Sequence, residues 1–366
     1  MSKKCILIAL HRFEVGGAET QALYLARYLQ ENGYQVHVGA FGDEHGLGID
    51  KFSQSGISTF HWGFQEKLLL NPEPTFKGGL IKLKYLFKLI QLVRALSPDI
   101  IISYTYPPNV IFGRLKKWFN GAKVFWNQRD ISIGFTGHPW EEFSLRNTDV
   151  FISNSETGAK YIEEKTDCKV HVIPNYIDAY QFKNSLDFEK SELLKVLMIG
   201  NIHANKNHIR LLEDWKDVVK IMPNARLYLA GKFGNEYEKC LNFINEHGLL
   251  DYVFLLGQVK DMIGLIEECQ IAVFYSHGEG MPNGILEPMA AGLPVLVHRY
   301  VWSEELLGKD YPYFLSHQDQ EGLVDRIKLI SKKDLIKIGQ QNRERAKEKF
   351  GIENSLNLYL DLINEY

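Results

Sequence analysis

The chain is poor in cysteine, with four in 366 residues: Cys5, Cys168, Cys240 and Cys269. They lie far apart, without a Cys-x-x-Cys pair or a Cys/His spacing suited to zinc. That excludes a disulfide-stapled fold and a zinc ribbon, and buried thiols in a reducing compartment are expected. Long hydrophobic runs are missing as well: no stretch approaches the roughly 18 apolar residues a spanning helix needs. The basic start leads into Cys5–Leu10, but His11-Arg12-Phe13-Glu14 follows where a signal peptide would carry its small-residue cleavage site. The run therefore reads as a buried first strand, and the expected location is cytoplasmic, with room for peripheral contact at the inner face of a membrane. Neither charge sign is in excess, 42 Lys plus Arg against 45 Asp plus Glu, so composition gives no support to a nucleic-acid partner. The G-x-G-x-x-G fingerprint is absent from the loop Phe13-Glu14-Val15-Gly16-Gly17-Ala18-Glu19, which argues against a nicotinamide enzyme. No Asp-x-Asp pair ends a strand, and His203 and His208 lack further ligands, so no metal is expected.

What is present is the ordinary mix of a globular protein, 45% hydrophobic and 24% charged. At about 150 residues per domain the length suits two domains. Short apolar runs at Cys5–Leu10, Gln35–Ala40, Ile100–Ser103, Lys123–Asn127 and Val150–Ser153 alternate with helical patterns such as Glu19–Asn32 and Gly79–Leu96. The rhythm repeats at Lys195–Gly200, Arg226–Ala230, Val253–Gly257, Ile271–Ser276 and Pro294–His298, with helices such as His208–Lys220 and Tyr237–His247 between. Strand-helix alternation predicts α/β architecture with two parallel sheets, each covered on both faces. The apolar rhythm breaks near Ala179–Ser191. The expected organisation is a first domain at 1–185, a second at 186–345, and a C-terminal helix at 346–366 packing back on the first.

Charge is uneven along the chain. Between Phe76 and Lys123 stand nine basic residues (Lys77, Lys82, Lys84, Lys88, Arg94, Arg114, Lys116, Lys117, Lys123) and one acid, Asp99. Leu83, Leu86, Phe87, Ile90 and Val93 fall at helical spacing and predict one apolar face. Two readings stay open for 76–123: a solvated basic side of a surface helix, or a patch meeting anionic lipid headgroups or a lipid-diphosphate substrate.

The most informative stretch runs from Ser276 to Val295. After the strand ending at Tyr275 comes a tight loop holding Glu279, then a helix beginning near Asn283 that carries Glu287, with seven residues between the two acids. In an open α/β sheet, ligands bind at that end of the strands. Backbone amides at the helix start suit a diphosphate, whereas a carboxylate there is better suited to accepting hydrogen bonds from sugar hydroxyls. With Ala290-Ala291-Gly292-Leu293-Pro294-Val295 behind it, the segment resembles the E-x7-E signature of the retaining glycosyltransferases of family 4, which have the GT-B fold. Other segments resemble that family in order: the Gly16-Gly17-Ala18-Glu19 loop, Asn154-Ser155-Glu156, Pro174-Asn175-Tyr176-Ile177-Asp178, and Gly200-Asn201 with Lys206. Two departures stand out. Asn201 replaces a frequent Arg, and Trp126-Asn127-Gln128-Arg129-Asp130 stands where many members carry a His.

The resemblance implies two Rossmann-like domains facing across a cleft and transfer of a sugar from a nucleotide sugar, UDP-glucose or another UDP-hexose first, to an acceptor hydroxyl. The acceptor would be lipid-linked or an oligosaccharide, in exopolysaccharide, capsule or O-antigen assembly. Glu279 and Lys206 would be the catalytic pair, Lys206 neutralising the departing diphosphate. Donor contacts would come from Gly16, Gly17, Asn201, Val259, Met281, Asn283, Gly284, Ile285 and Glu287, and further contacts from Arg129, Asp130 and Lys232. The competing readings are a GT-B UDP-sugar epimerase and a non-catalytic protein that binds sugar nucleotides.

Overall fold

Unbroken apolar runs become the central strands because parallel strands are covered on both faces and need no polar side. In the computed structural model, which describes residues 4–14, 16–42, 48–70, 76–130, 135, 137, 139–183, 193–316, 322–330 and 332–366, the first sheet contains β1 (Cys5–Leu10), β2 (Gln35–Ala40), β3 (Ser58–His61), β4 (Ile100–Tyr104), β5 (Lys123–Gln128), β6 (Val150–Ser153) and β7 (Val170–Val172). All pairs are parallel, in the order β3-β2-β1-β4-β5-β6-β7. The second sheet contains β8 (Leu194–Ile199), β9 (Ala225–Ala230), β10 (Val253–Gly257), β11 (Ile271–Phe274), β12 (Val295–His298) and β13 (Phe314–Leu315), again all parallel, in the order β10-β9-β8-β11-β12-β13. Three strands escape the sequence pattern: β3, β7 and β13. Each lies at a sheet edge and is short, and the half-exposed Ser58-Thr59-Phe60-His61 offers no apolar run to find.

Each sheet winds outward in both directions from one seam. In the first the direction reverses between β1 and β4, in the second between β8 and β11. Helices that leave such a seam to opposite faces open a crevice at the carboxyl ends of its strands. That rule singles out the loops after β1 and β4 in one unit, and those after β8 and β11 in the other.

The chain divides into residues 1–174 with 355–366, and residues 175–354. The division comes earlier than the expected 185 because the segment after Pro174 already belongs to the second core. Ala179 and Phe182 are buried there, and the buried Arg343 guanidinium donates to the carbonyls of Ala179 and Phe182, at 3.0 and 2.9 Å, and to that of Lys183. Much of the expected break, at 184–192, lies outside the described residues. The charged tail forms two helices, Lys332–Phe350 and Ile352–Glu365. Ala346 and Phe350 stay in the second core. The last helix joins the first unit through Tyr359, whose hydroxyl accepts from Asn127 Nδ2 at 2.7 Å, and through Ile363, whose carbonyl accepts from Lys4 Nζ at 3.0 Å.

The helix Phe76–Leu96 corrects one expectation. Leu89 and Val93 are fully buried, but Leu83 and Phe87, assigned to the inner face by spacing, are 54% and 63% exposed. Its middle is apolar on nearly every side, so the pattern could not say which side packs. Cys168 departs from expectation too: it is exposed, while Cys5, Cys240 and Cys269 are buried free thiols. Among the described residues, no helix is long and apolar enough to cross a membrane.

Candidate functional site

At the seam of the second sheet, β8 is followed by Gly200-Asn201 and β11 by Tyr275-Ser276. Lys206 sits at the close of a short turn, Ala204–Lys206, that hangs from β8. Its ammonium pairs with the Glu279 carboxylate, and the two side chains are only 19% and 14% exposed. The Ser276 hydroxyl touches the same carboxylate and lies 3.0 Å from the Asn205 carbonyl, so one serine ties the Lys206 turn to the Glu279 loop. The His277 amide donates to the Asn205 carbonyl at 3.1 Å and strengthens the tie. Lys206 Nζ also lies 5.5 Å from the centroid of the Phe274 ring.

The helix Asn283–Ala291 starts against the same ring. A Cβ on Gly284 would come within 2.5 Å of the Ile199 carbonyl oxygen and 2.9 Å of Phe274. Glycine here lets the helix press its first turn onto the ends of β8 and β11. No side chain caps this helix, and its N-cap residue is Pro282. Its first described amide bonds run from Ile285 and Leu286 to the Pro282 carbonyl, at 3.1 and 3.2 Å. The amides of Asn283 and Gly284 precede them, at the positive end of the helix dipole. The geometry thus gathers an ammonium, a carboxylate and a helix N-terminus around one aromatic ring.

Asn175 was not among the sequence candidates, yet it shapes this loop. It is buried, and its Nδ2 donates to the Met281 carbonyl at 2.6 Å and to Asn283 Oδ1 at 2.8 Å. The Pro174-Asn175 turn was visible in the sequence; that its amide would prop a loop more than a hundred residues away was not. Ser276 was missed for the same reason. Tyr275 is pinned from behind, its hydroxyl donating to Asp214 Oδ2 at 2.7 Å; burial raises the Asp214 carboxyl above its ordinary range despite that bond and the nearby Arg210.

The other candidates of the second unit line the same strand ends. Asn201 Oδ1 accepts from the Lys232 amide at 2.9 Å, so this carboxamide oxygen fixes the Gly231-Lys232 loop after β9. Gly231 allows that closeness: a Cβ there would fall 2.2 Å from the Gly200 carbonyl oxygen. Val259 follows β10 and is half-buried against the core. Ile285 is fully buried and Met281 nearly so, which leaves the main chain as the part able to meet a ligand. Glu287 is half-buried on the second turn of the helix.

His208, at the start of the helix His208–Ile221, is 2% exposed. Burial, reinforced by the nearby Lys206, pushes it down to about 4 from an ordinary 6.5. The folded protein therefore holds it neutral, and the unfolded chain takes up the proton first as pH falls. This residue should cost stability only below pH 6.5, and progressively down to about 4. Urea titrations of wild type and His208→Gln should run parallel above that window. Within it the wild type should lose up to about 3 kcal/mol that the variant keeps.

In the first unit, the Gly16-Gly17 loop follows β1, and Gly16 is extended at φ −145°. A Cβ there would meet only the end of the flexible Glu19 side chain, so the fold itself makes no strong demand for glycine at this position. Burial pushes Glu19 up to about 7, with Glu14 adding to the rise and its own amide and Arg129 opposing it. Arg129 lies over the Tyr104 ring, 5.4 Å from its centroid. Asp130 accepts from Gln128 Nε2 at 2.9 Å. Both candidates are thus engaged within their own unit. On the other side of this seam, Thr105 holds φ +67°, a conformation that is costly for a β-branched residue and that clusters at functional sites.

Residues 15–181 match the family described as Glycosyltransferase Family 4, and residues 194–333 match that described as Glycosyl transferases group 1. An uncharacterized glycosyltransferase of Methanocaldococcus jannaschii is 24% identical over 349 residues, covering 79% of this chain and 86% of that one. The UDP-Gal:alpha-D-GlcNAc-diphosphoundecaprenol alpha-1,3-galactosyltransferase of Escherichia coli is 23% identical over 214 residues, 53% of this chain and 55% of its own. Among solved structures, the HepE protein of Anabaena in complex with UDP-glucose superposes with a TM-score of 0.80 at 19% identity, covering 99% of this chain and all of that one.

Proposed function

Because the chain belongs to the family 4 glycosyltransferases, retaining hexosyltransferases of the GT-B fold, we propose that its second unit binds a UDP-hexose, UDP-glucose first, and transfers the sugar to a hydroxyl held by the first unit. The observation that carries this reading is the Lys206–Glu279 pair beside the start of the helix Asn283–Ala291. An ammonium and the amides at a helix start suit a diphosphate; an adjacent carboxylate suits sugar hydroxyls. The solved HepE protein with UDP-glucose supports the choice of donor. The Escherichia coli relative, named for a diphosphoundecaprenol-linked acceptor, supports a lipid-linked acceptor of polysaccharide assembly.

In this account the arriving diphosphate takes Lys206 from Glu279 and lies against the amides of Asn283 and Gly284. Pro282 has no N–H and donates nothing. Glu279, released, accepts hydrogen bonds from the sugar and fixes its ring. Glu287 accepts from the ribose hydroxyls, and the main chain at Val259 pairs with the base. The bond from the anomeric carbon to the β-phosphate oxygen breaks, and the bond to the acceptor oxygen forms on the same face. The acceptor proton passes to the departing phosphate, so UDP leaves and the configuration is retained. Catalysis on this route is mostly positioning and charge stabilisation.

The test is turnover of a donor panel in the presence of chelator. UDP-glucose, UDP-galactose, UDP-N-acetylglucosamine and GDP-mannose are supplied with a short glycoside acceptor, and nucleotide release and product anomer are recorded. UDP release with an α-linked product is expected. Turnover confined to the guanosine donor would overturn the choice of base, and an inverted product would overturn the route.

A further inference from the structure

We propose that His11, oriented by the buried Glu66 behind it, binds a hydroxyl of a glycoside acceptor in the first unit, which rests on the reading of that unit as the acceptor-binding one. His11 is the first residue after β1, one of the two strands whose carboxyl ends border the crevice of this unit. Glu66 reaches it from the segment after β3. The Gly42 amide donates to the Phe64 carbonyl at 3.1 Å, which carries that segment across the end of β2. There His11 Nε2 lies 3.0 Å from Glu66 Oε1, and Arg12 Nη2 lies 3.7 Å from the same oxygen.

Packing does not require a carboxylate at this place. Glu66 is 3% exposed and stands in the chain between the core residues Phe64 and Leu69. Its Oε2 has no hydrogen-bond partner among the described residues. A buried charge with an unsatisfied oxygen costs stability, and an apolar side chain of that size would avoid the cost. What the carboxylate does achieve is the orientation of His11. Burial would raise the Glu66 carboxyl, but His11, its own amide and Arg12 outweigh that and hold it below its ordinary range. Glu66 is therefore ionised at neutral pH and can only accept. It draws the proton of a neutral His11 ring to Nε2 and leaves the lone pair on Nδ1. Nε2 is buried, whereas the His11 side chain is 35% exposed, so Nδ1 is the nitrogen left for a ligand.

A lone pair recognises a group that donates, and a sugar hydroxyl does so where an ionised phosphate cannot. Arg12 adds the complementary half. Its stem crosses Gly42, where a Cβ would lie 3.5 Å from Arg12 Cγ. Its guanidinium is loosely paired, 3.7 Å from both Glu14 and Glu66, and keeps donors for the oxygen atoms of the same sugar. Charge decides the ligand class. Glu14 and Glu66 together outweigh Arg12, so this cluster offers an anion no excess of positive charge, and a neutral, hydroxyl-rich sugar fits it better.

The test is titration of the full chain with the p-nitrophenyl glycosides of glucose, galactose and N-acetylglucosamine, followed by ligand-observed NMR. Two variants divide the roles of the ring. His11→Gln keeps a donor at the Nε2 position, and with it the contact to Glu66, but has no acceptor at the Nδ1 position. His11→Asn does the reverse. The glycoside bound best by the wild type should lose about tenfold in affinity with His11→Gln, the effect of one hydrogen bond, and no more than about threefold with His11→Asn. The opposite order, or an unchanged His11→Gln, would mean that the ring only holds the strand end against Glu66 and would overturn the proposal. So would a wild type that binds none of the three glycosides. UDP titrated into the same proteins should show one affinity. A wild type that binds a glycoside with the expected order of variants but no UDP would contradict the donor reading while supporting this acceptor site.

Discussion

Lys206→Ala should lower kcat/KM by about 10²–10³-fold, the usual loss when one donor to a developing negative charge is removed from a water-poor site. The reasoning rests on where the ammonium sits. It is four-fifths buried, held against Phe274 and within reach of one carboxylate. A diphosphate leaving at the start of the helix Asn283–Ala291 would meet this ammonium beside the Phe274 ring; Asn201 adds no charge there, and its carboxamide oxygen is engaged by the Lys232 amide. Removing the ammonium also leaves the partly buried Glu279 carboxylate without its counter-ion. Lys206→Arg keeps the charge on a different shape and should recover part of the rate. A Lys206→Ala enzyme within a few-fold of wild type would mean that other groups carry the diphosphate charge. Single-turnover kinetics of donor consumption make the comparison.

Glu279→Gln should show a different pattern. The amide keeps the size of the side chain and a contact for Ser276, but loses the charge that we propose accepts from sugar hydroxyls. We expect kcat to fall by about 10²-fold. UDP carries no sugar, so its affinity should be undiminished, and it should rise if breaking the Lys206–Glu279 pair is part of the cost of binding. The two variants thus separate diphosphate from sugar recognition. Their double mutant should be less impaired than the product of the singles, because the residues act on one another. UDP affinity falling together with kcat in Glu279→Gln would instead assign Glu279 a purely structural role in shaping the loop. Steady-state rates paired with UDP titrations read both quantities.

How much of this was legible in the sequence depends on how local the signal is. The central strands were legible because burial on both faces writes an unbroken apolar run, as in Cys5–Leu10 and Ile271–Phe274. The edge strands β3, β7 and β13 were not, being short, with β3 half-exposed. Glu279 and the helix start were legible as a motif, since their spacing follows from one strand-loop-helix unit, and Lys206 was legible separately in the loop after β8. Asn175 and Ser276 were not, because their work is to join segments distant in sequence. Thr105 could not be foreseen either; nothing in Tyr104-Thr105-Tyr106 announces a left-handed backbone. On the helix Phe76–Leu96 the pattern misled, because residues apolar on every side do not say which side the core takes.

The central claim is that the donor diphosphate is held at Lys206 beside the helix Asn283–Ala291. The most direct measurement is calorimetric titration of UDP into chelator-treated wild type and Lys206→Ala. The account predicts micromolar binding to the wild type that weakens by about tenfold or more in the variant. Equal UDP affinity in the two proteins, or no binding to the wild type, would contradict it.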